Sequence, residues 1–218
     1  MLNLRRRVFY ALLVPFSENR RARRMAAFLN KLDVREGARI LDLGGSESIW
    51  NTIPSPLRVT VLNLPGGALP PAESHHAFTH VVGDACNVQL PDDARFDLVF
   101  SNSVIEHVGP AQKQEEFARE VRRLGTSYWV QTPAIWFPIE CHSGMPFWFF
   151  YPQWLRDFFL NRWRKPLPDW TSWLADCRVL SKSRLRELFP EAKIYVERVL
   201  GFPKSYSVWH KVPSPPAK

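Results

Sequence analysis

Hydrophobic positions along the chain follow two patterns, short apolar runs and amphipathic stretches. Apolar runs rich in β-branched residues predict seven strands: ARILDLG, LRVTVLNL, HVVGDA, RFDLVFSNS, TSYWVQTP, AKIYVERVLG and KSYSVWH. Apolar residues three and four positions apart predict helices in ENRRARRMAAFLNKL and AQKQEEFAREVRRL, and Ser181 is the expected cap of a helix in SKSRLRELF. Apolar strands that alternate with helices indicate an α/β protein, with a mostly parallel sheet covered on both faces.

One segment does not follow this alternation. Residues 136–173, after the fifth predicted strand, are dense in aromatics and prolines and contain six of the nine tryptophans. This composition suits a lid, an apolar substrate pocket or a membrane-facing surface. A packed subdomain without a functional role is the alternative.

Charge is concentrated at the N-terminus. The net charge is +8, and residues 1–32 carry +7 of it. The apolar stretch VFYALLVPF lies between two arginine groups and is shorter than the roughly 20 apolar residues that span a bilayer. The pattern favours an anionic membrane surface as a partner of the N-terminus. An N-terminal segment packed on the domain, with its arginines in water, is the alternative.

The three cysteines, Cys86, Cys141 and Cys177, are far apart and form no CxxC pair. Such sparse usage argues against a disulfide framework and a structural zinc site, and it favours a reducing compartment. We therefore expect a cytoplasmic protein, associated peripherally with the inner face of the membrane if the N-terminus binds lipid.

Polar and small residues follow the predicted strands at consecutive strand ends. The first strand runs through Asp42 into Gly44 and Gly45, where glycine allows the backbone to approach a ligand. In doubly wound folds, ligands bind beyond the carboxyl ends of the strands. Asn63 ends the second strand, where a dinucleotide fold usually has an acid for the ribose, and Asp84 ends the third.

Taken together and in order, RILDLGG, VTVLNL, VVGDA, LPDDARFDLVFSNSVIEHV and YWVQTPAIWFPIECH resemble the class I S-adenosylmethionine-dependent methyltransferases. The most similar branch is the methyltransferase type 11/12 group, and the resemblance covers roughly residues 38 to 208. It implies a Rossmann-like fold, with an aromatic insertion at about 136–175, and S-adenosyl-L-methionine as cofactor. Ser46 and Ser48 stand where that family usually has glycine, and Asn63 where it has an acid.

The resemblance also implies a set of cofactor-binding residues. Residues 42–46, including Asp42, Gly44, Gly45 and Ser46, would hold the methionine part. Asn63 would meet the ribose, Asp84 and Ala85 the adenine, and Ser101 and Asn102 would line the floor.

Three residues are candidates for acid–base chemistry, because methyl transfer to oxygen requires a base near neutral pKa. His107 follows the fourth strand in IEHV, and Glu140 and His142 follow the fifth in PIECH. Each has a structural alternative, ordering its loop or anchoring the insertion. Ubiquinone O-methyltransferases have a similar ExxEH stretch linked to a metal, but Ser103 replaces its first acid, so no metal site is predicted.

The favoured function is O-methylation of a sugar, a lipid-linked saccharide or an apolar small molecule. A non-catalytic binding protein with a decayed cofactor site is the alternative. Nucleic acid is not an expected substrate, because the basic residues cluster away from the predicted active face and no NPPY-like tetrapeptide follows the fourth strand. The expected organisation is a basic segment and helix over 1–35, a methyltransferase domain over 36–212 and a tail over 213–218.

Overall fold

Seven strands form one sheet in the computed structural model, which describes residues 19–66, 74–91, 94–140 and 143–212. The spatial order of the strands is β3-β2-β1-β4-β5-β7-β6. β7 is antiparallel to both of its neighbours, and the other pairings are parallel. The strands are β1 Arg39–Leu43, β2 Arg58–Asn63, β3 Ala77–Val82, β4 Phe96–Asn102, β5 Gly125–Pro133, β6 Lys193–Val199 and β7 Phe202–His210. The predicted seven-stranded, mostly parallel sheet is confirmed.

Strand order reverses between β1 and β4. β1 pairs with β2 on one side, where Asp42 lies opposite Val61, and with β4 on the other, where it lies opposite Phe100. The chain therefore leaves β1 at a switch point, where the loops that follow β1 and β4 diverge and leave a crevice.

Helices lie before β1 and in the second half of the chain. The described part of α1 spans residues 19–32. The later helices are α2 Ala111–Leu124, α3 Gln153–Arg164, α4 Pro168–Ala175 and α5 Lys182–Leu188. α2 has the predicted bounds, and the Ser181 hydroxyl accepts a hydrogen bond from the Arg184 amide at the start of α5, so the predicted cap is confirmed.

The sheet has a hydrophobic core on each face. One core contains Phe117 and Val121 of α2 and Leu185 of α5, and the other contains Met25 and Phe28 of α1 with Trp50. Trp50 belongs to a 3-10 helix, Glu47–Thr52, which replaces an α-helix between β1 and β2. Both faces of the sheet are covered, as the apolar strands predicted.

The insertion after β5 has a small core of its own. Trp148, Trp163 and Leu174 are buried together, and α3 packs on α4. Other aromatic side chains of the insertion are exposed: Trp136, Phe147, Phe150, Trp154, Phe158 and Trp173. The insertion is thus both a packed unit and an apolar surface. Among the described residues, no helix combines the length and apolarity required to cross a membrane.

Candidate cofactor site

A cavity of about 300 Å³ lies at the carboxyl ends of β1, β2 and β4. Its position is the switch point between β1 and β4, where ligands of doubly wound folds bind. Its walls come from four places: the β1 strand end and turn, the β2 end, the β4 end and helix α1. The lining residues are Arg21, Asp42, Gly44, Gly45, Ser46, Ile49, Asn63, Phe100 and Asn102. Six of the predicted cofactor residues therefore surround one cavity.

Two glycines shape the turn after β1, and each is required for a different reason. Gly44 has φ +73°, a left-handed conformation that side chains rarely adopt, and a Cβ there would lie 2.7 Å from Cγ2 of Val104. A Cβ at Gly45 would overlap the carboxylate of Asp42. A side chain at either position would therefore displace Val104 or Asp42.

Asp42 is a fully buried carboxyl group at the edge of the cavity. Its Oδ2 accepts a hydrogen bond from Nε1 of Trp50 at 2.8 Å, while Oδ1 is buried without a hydrogen-bond partner in the described part of the chain. Burial raises the pKa of Asp42 to about 7, although the Trp50 hydrogen bond lowers it in part. Near neutral pH this group is poised to ionise when a cation approaches.

The residues that depart from the family pattern hold the turn together. The hydroxyls of Ser46 and Ser48 lie 3.0 Å apart and share a hydrogen bond. Nδ2 of Asn63 donates to the carbonyl oxygen of Gly45 at 3.0 Å. The amide of Asn63 thus supports the glycine turn, and its Oδ1 is the atom with which it can accept from a ligand hydroxyl.

At the end of β4, Ser101 is buried behind the cavity wall, whereas Asn102 lines the cavity. Ser101 is buried, and its hydroxyl donates to the carbonyl oxygen of Leu43 at 3.0 Å, so it ties β4 to β1 beneath the cavity. Asn102 lines the cavity directly.

Asp84 and Ala85 follow β3 but do not line this cavity. Oδ1 of Asp84 accepts from the amide of Cys86 at 2.8 Å, and Oδ2 lies 4.0 Å from Nζ of Lys113. Ala85 packs against the core that contains α2. The structure therefore places the two predicted adenine residues apart from the other six.

Two arginines of α1 reach this site, and sequence reasoning missed both. Arg21 lines the cavity, and Arg24 donates to Oδ1 of Asn102 at 2.7 Å and pairs with Glu197 at 3.0 Å. The expectation that the basic N-terminal residues lie away from the active face was wrong for this pair. The helical spacing of α1 could have indicated this. Arg21 and Arg24 are one turn apart and lie beside Met25, whose side chain is buried, so both arginines lie at the border of the buried face.

Two of the candidate acid–base residues lie in described loops, His107 after β4 and Glu140 after β5. His107 stacks on Trp173 of α4 with 4.3 Å between ring centroids, so the β4 loop contacts the insertion. Oε2 of Glu140 accepts from the amide and hydroxyl of Ser143, which fits its alternative role in ordering the loop. His142 lies outside the described residues. Within those residues, no cluster of three or more His, Cys, Asp or Glu side chains is arranged to hold a metal ion.

Glu106, the acid that precedes His107 in the ExxEH-like stretch, is buried in this region. It is fully buried, and its Oε2 accepts from the hydroxyl of Thr132 on β5 at 3.0 Å. Its backbone carbonyl also accepts from the amide of Arg178, beyond α4. The β4 loop is therefore fixed to β5 and to the end of the insertion.

Part of the chain matches a known family of protein domains. A family model described as "Methyltransferase domain" matches residues 38–127, which include β1 to α2. The comparison with curated proteins gives no significant match. Among solved structures, the N-terminal domain of EvdMO1 with S-adenosylhomocysteine (SAH) bound is 16% identical, with a TM-score of 0.52 over 87% of this chain and 79% of that one.

A second solved structure has the same fold. The magnesium protoporphyrin IX methyltransferase of Synechocystis PCC 6803, with SAH bound, is 11% identical, with a TM-score of 0.50 over 88% of this chain and 83% of that one. The same enzyme with S-adenosylmethionine (SAM) bound gives 10% identity and a TM-score of 0.50 over 90% and 81% of the two chains. At these identities the structures establish the fold, and the family model adds the sequence match. The match over residues 38–127 and the shared fold support the resemblance to the class I SAM-dependent methyltransferases that the motifs indicated.

Proposed function

We propose that this protein transfers a methyl group from SAM to a hydroxyl oxygen of a sugar, a lipid-linked saccharide or an apolar small molecule. One observation carries the proposal. The glycine turn and the buried Asp42 border an open cavity at the switch point of a methyltransferase sheet. The family supplies the cofactor, and the acceptor class rests on the aromatic insertion.

The charged groups of the cavity fit the amino-acid part of SAM, which carries an ammonium and a carboxylate. Asp42 presents a buried carboxyl oxygen without a partner in the described chain, which suits the ammonium group. Arg21 lines the same cavity and forms no ion pair with a described residue, which suits the carboxylate. Asn63 has Oδ1 available for a ribose hydroxyl, since its amide nitrogen already bonds Gly45.

When bound, SAM supplies a methyl group attached to a positively charged sulfur. The acceptor oxygen forms a bond to the methyl carbon as the carbon–sulfur bond breaks, and the hydroxyl proton passes to a base. The protein's principal task in such an in-line displacement is to align the reactants and exclude water. The glycine turn positions one reactant, and the insertion, which contacts the β4 loop through Trp173 and His107, is placed to cover the other.

We assign the base to His107 rather than to Glu140. Oε2 of Glu140 is engaged twice by Ser143, whereas the imidazole of His107 can accept a proton at a ring nitrogen. His107→Gln is expected to lower the rate of methyl transfer by at least about 100-fold while leaving SAM affinity within about twofold. A loss of SAM affinity equal to the loss of rate would assign the residue to structure instead.

The exposed aromatic side chains support an apolar or lipid-linked acceptor. Trp136 and Phe150 contact each other with centroids 5.0 Å apart and are about half exposed, and Trp154 and Phe158 lie exposed one turn apart on α3. A surface of this kind suits contact with apolar molecules or a membrane interface. The predicted N-terminal membrane segment lies outside the described residues, so peripheral membrane association remains part of the proposal.

The test begins with calorimetric titration of the protein with SAM, comparing wild type with Arg21→Gln and Arg23→Gln. Both arginines are exposed residues of α1, but only Arg21 lines the cavity. We expect Arg21→Gln to weaken binding by about tenfold, because a charge-assisted hydrogen bond contributes about 1.5–3 kcal/mol. Arg23→Gln should bind like the wild type.

Transfer of a radiolabelled methyl group to a panel of sugars, lipid-linked saccharides and apolar alcohols then tests catalysis. Label in a hydroxyl of one class supports the proposal and defines the acceptor. SAM binding without transfer to any member, or label only on nitrogen or carbon, would contradict O-methylation. The absence of SAM binding would favour the non-catalytic alternative.

A further inference from the structure

A second cavity, of about 410 Å³, lies within the insertion. Its walls are α3, the end of α4, and the segments around residues 135 and 177–179. It shares no lining residue with the cofactor cavity. Its volume is in the range of small-molecule sites, which are mostly apolar with a few placed polar groups.

Eight of the eleven residues that line this cavity are apolar. Trp148 and Leu174, buried members of the insertion core, contribute to its wall, and Leu160 and Val179 extend the apolar lining. Trp148 and Leu174 already pack together in the insertion core, so this part of the wall is in place before a ligand enters. A ligand that enters it exchanges water for hydrocarbon contacts.

Two arginines give the cavity a positive end. Arg156 of α3 and Arg178 line it, while no carboxylate of the described chain does. Arg156 donates from one terminal nitrogen to Oε1 of Gln153, but its Nε is buried without a hydrogen-bond partner in the described structure. A buried N–H donor such as this Nε is costly to leave without an acceptor, and a ligand anion would satisfy it.

From this arrangement we propose that the cavity between α3 and α4 binds an apolar molecule that carries one phosphate or carboxylate group, with the anion at Arg156 and Arg178. The hydrocarbon part lies against Trp148, Leu160 and Leu174. The site stands independently of the cofactor cavity, so it is testable in the absence of SAM. Its failure would leave the proposed methyl transfer intact.

Calorimetric titration with four probes distinguishes the contribution of the apolar part from that of the anion. The amphiphilic probes are used below the concentrations at which they form micelles. Decyl phosphate and decanoate carry both parts, decanol carries only the apolar part, and inorganic phosphate only the anion. We expect decyl phosphate or decanoate to bind at least tenfold more tightly than decanol and inorganic phosphate. Shortening the chain from decyl to octyl should weaken binding by roughly fourfold for each methylene lost.

Matched arginine variants locate the anion. Arg156→Gln and Arg178→Gln should each reduce the affinity for the preferred anionic probe by about tenfold and leave decanol binding unchanged. Arg162→Gln is the control, since Arg162 is an exposed residue of α3 that does not line the cavity. A cooperative thermal unfolding transition shows that each variant is folded. Arg178 is exposed, so its substitution is not expected to disturb packing, and the test remains valid if Arg156→Gln fails to fold.

Three results would overturn the proposal. Decanol that binds as tightly as both anionic probes would show a site without charge recognition. Inorganic phosphate that binds as tightly as decyl phosphate would show an anion site without an apolar part. The absence of binding by either anionic probe to the folded wild-type protein would remove the site altogether.

Discussion

Asp42 makes cofactor affinity depend on pH in a defined direction. Burial raises the pKa of this carboxyl group to about 7, so about half of the free protein carries it ionised at neutral pH. The ammonium group of SAM or SAH requires the ionised form. Binding should therefore release a proton and strengthen as pH rises through 7.

The size of the effect follows from this pKa. If only the ionised form binds, the apparent Kd is the intrinsic Kd divided by the ionised fraction. With a pKa of about 7, this fraction rises by about 25-fold between pH 5.5 and 7.5, and Kd should fall by the same factor. At pH 6 about 0.9 of a proton should be released for each molecule bound.

Calorimetry with SAH in buffers of different ionisation enthalpy measures both quantities. The range stops at pH 7.5 so that the α-amino group of the ligand remains protonated throughout. Asp42→Asn is the control variant, and it should bind more weakly, with neither the pH slope nor the proton release. A pH-independent Kd in the wild type, or an unchanged slope in Asp42→Asn, would refute the assignment of this carboxyl group to the ammonium.

Three further predictions follow. The pKa of Asp42 is about 7 in the folded protein against 3.8 in the unfolded chain, so the folded state binds more protons between about pH 4 and 7. As pH rises through that window, the free energy of unfolding of the wild type should fall by as much as about 4 kcal/mol more than that of Asp42→Asn. Parallel pH profiles of the two proteins in urea denaturation would contradict this. Arg24→Ala should cost about 3 kcal/mol, because the largely buried side chain of Glu197 loses its charged partner and keeps, among the described residues, only the hydrogen bond from Ser205. Arg35→Ala, which removes the exposed pair with Asp33, should cost under about 1 kcal/mol. Equal losses in chemical denaturation would argue against a role for Arg24 in fixing α1. In flotation with anionic liposomes, removal of residues 1–17 should abolish membrane recovery, and unchanged recovery would transfer that role to the exposed aromatics of α3.

The sheet and its strand-end residues were predictable because local patterns encode them. Apolar runs set the strands, and the carboxyl ends of neighbouring parallel strands must share an edge, so Asp42, Asn63 and Asn102 meet around one cavity. The cap at Ser181 was equally local, since it needs only a hydroxyl before a helix.

The parts that were not predicted depend on contacts between distant segments. Arg21 and Arg24 looked like members of a basic N-terminal surface, and only the docking of α1 beside β4 turns them toward the cavity. The segment between β1 and β2 forms a 3-10 helix because Pro54 follows closely and Trp50 is fixed by burial and by its bond to Asp42.

The cavity in the insertion was also beyond sequence reasoning. Aromatic density predicted an apolar pocket or surface, but it could not show that Arg156 lies at a cavity with an unsatisfied Nε. Long side chains bury their stems and place their charged ends according to the tertiary packing around them.

The central claim, that the turn at Gly44 is a working SAM site, is tested most directly by a pair of glycine variants. Gly44 and Gly37 have nearly the same backbone, with φ +73° and +74°, but only Gly44 lines the cavity, and a Cβ at Gly37 meets nothing within 4 Å. Alanine at either position incurs the left-handed strain of about 1–2 kcal/mol. We predict that calorimetric titration with SAM shows binding in the wild type and in Gly37→Ala, and a loss of at least tenfold in affinity in folded Gly44→Ala. Equal affinity in the two variants, or no binding by the wild type, would contradict the account.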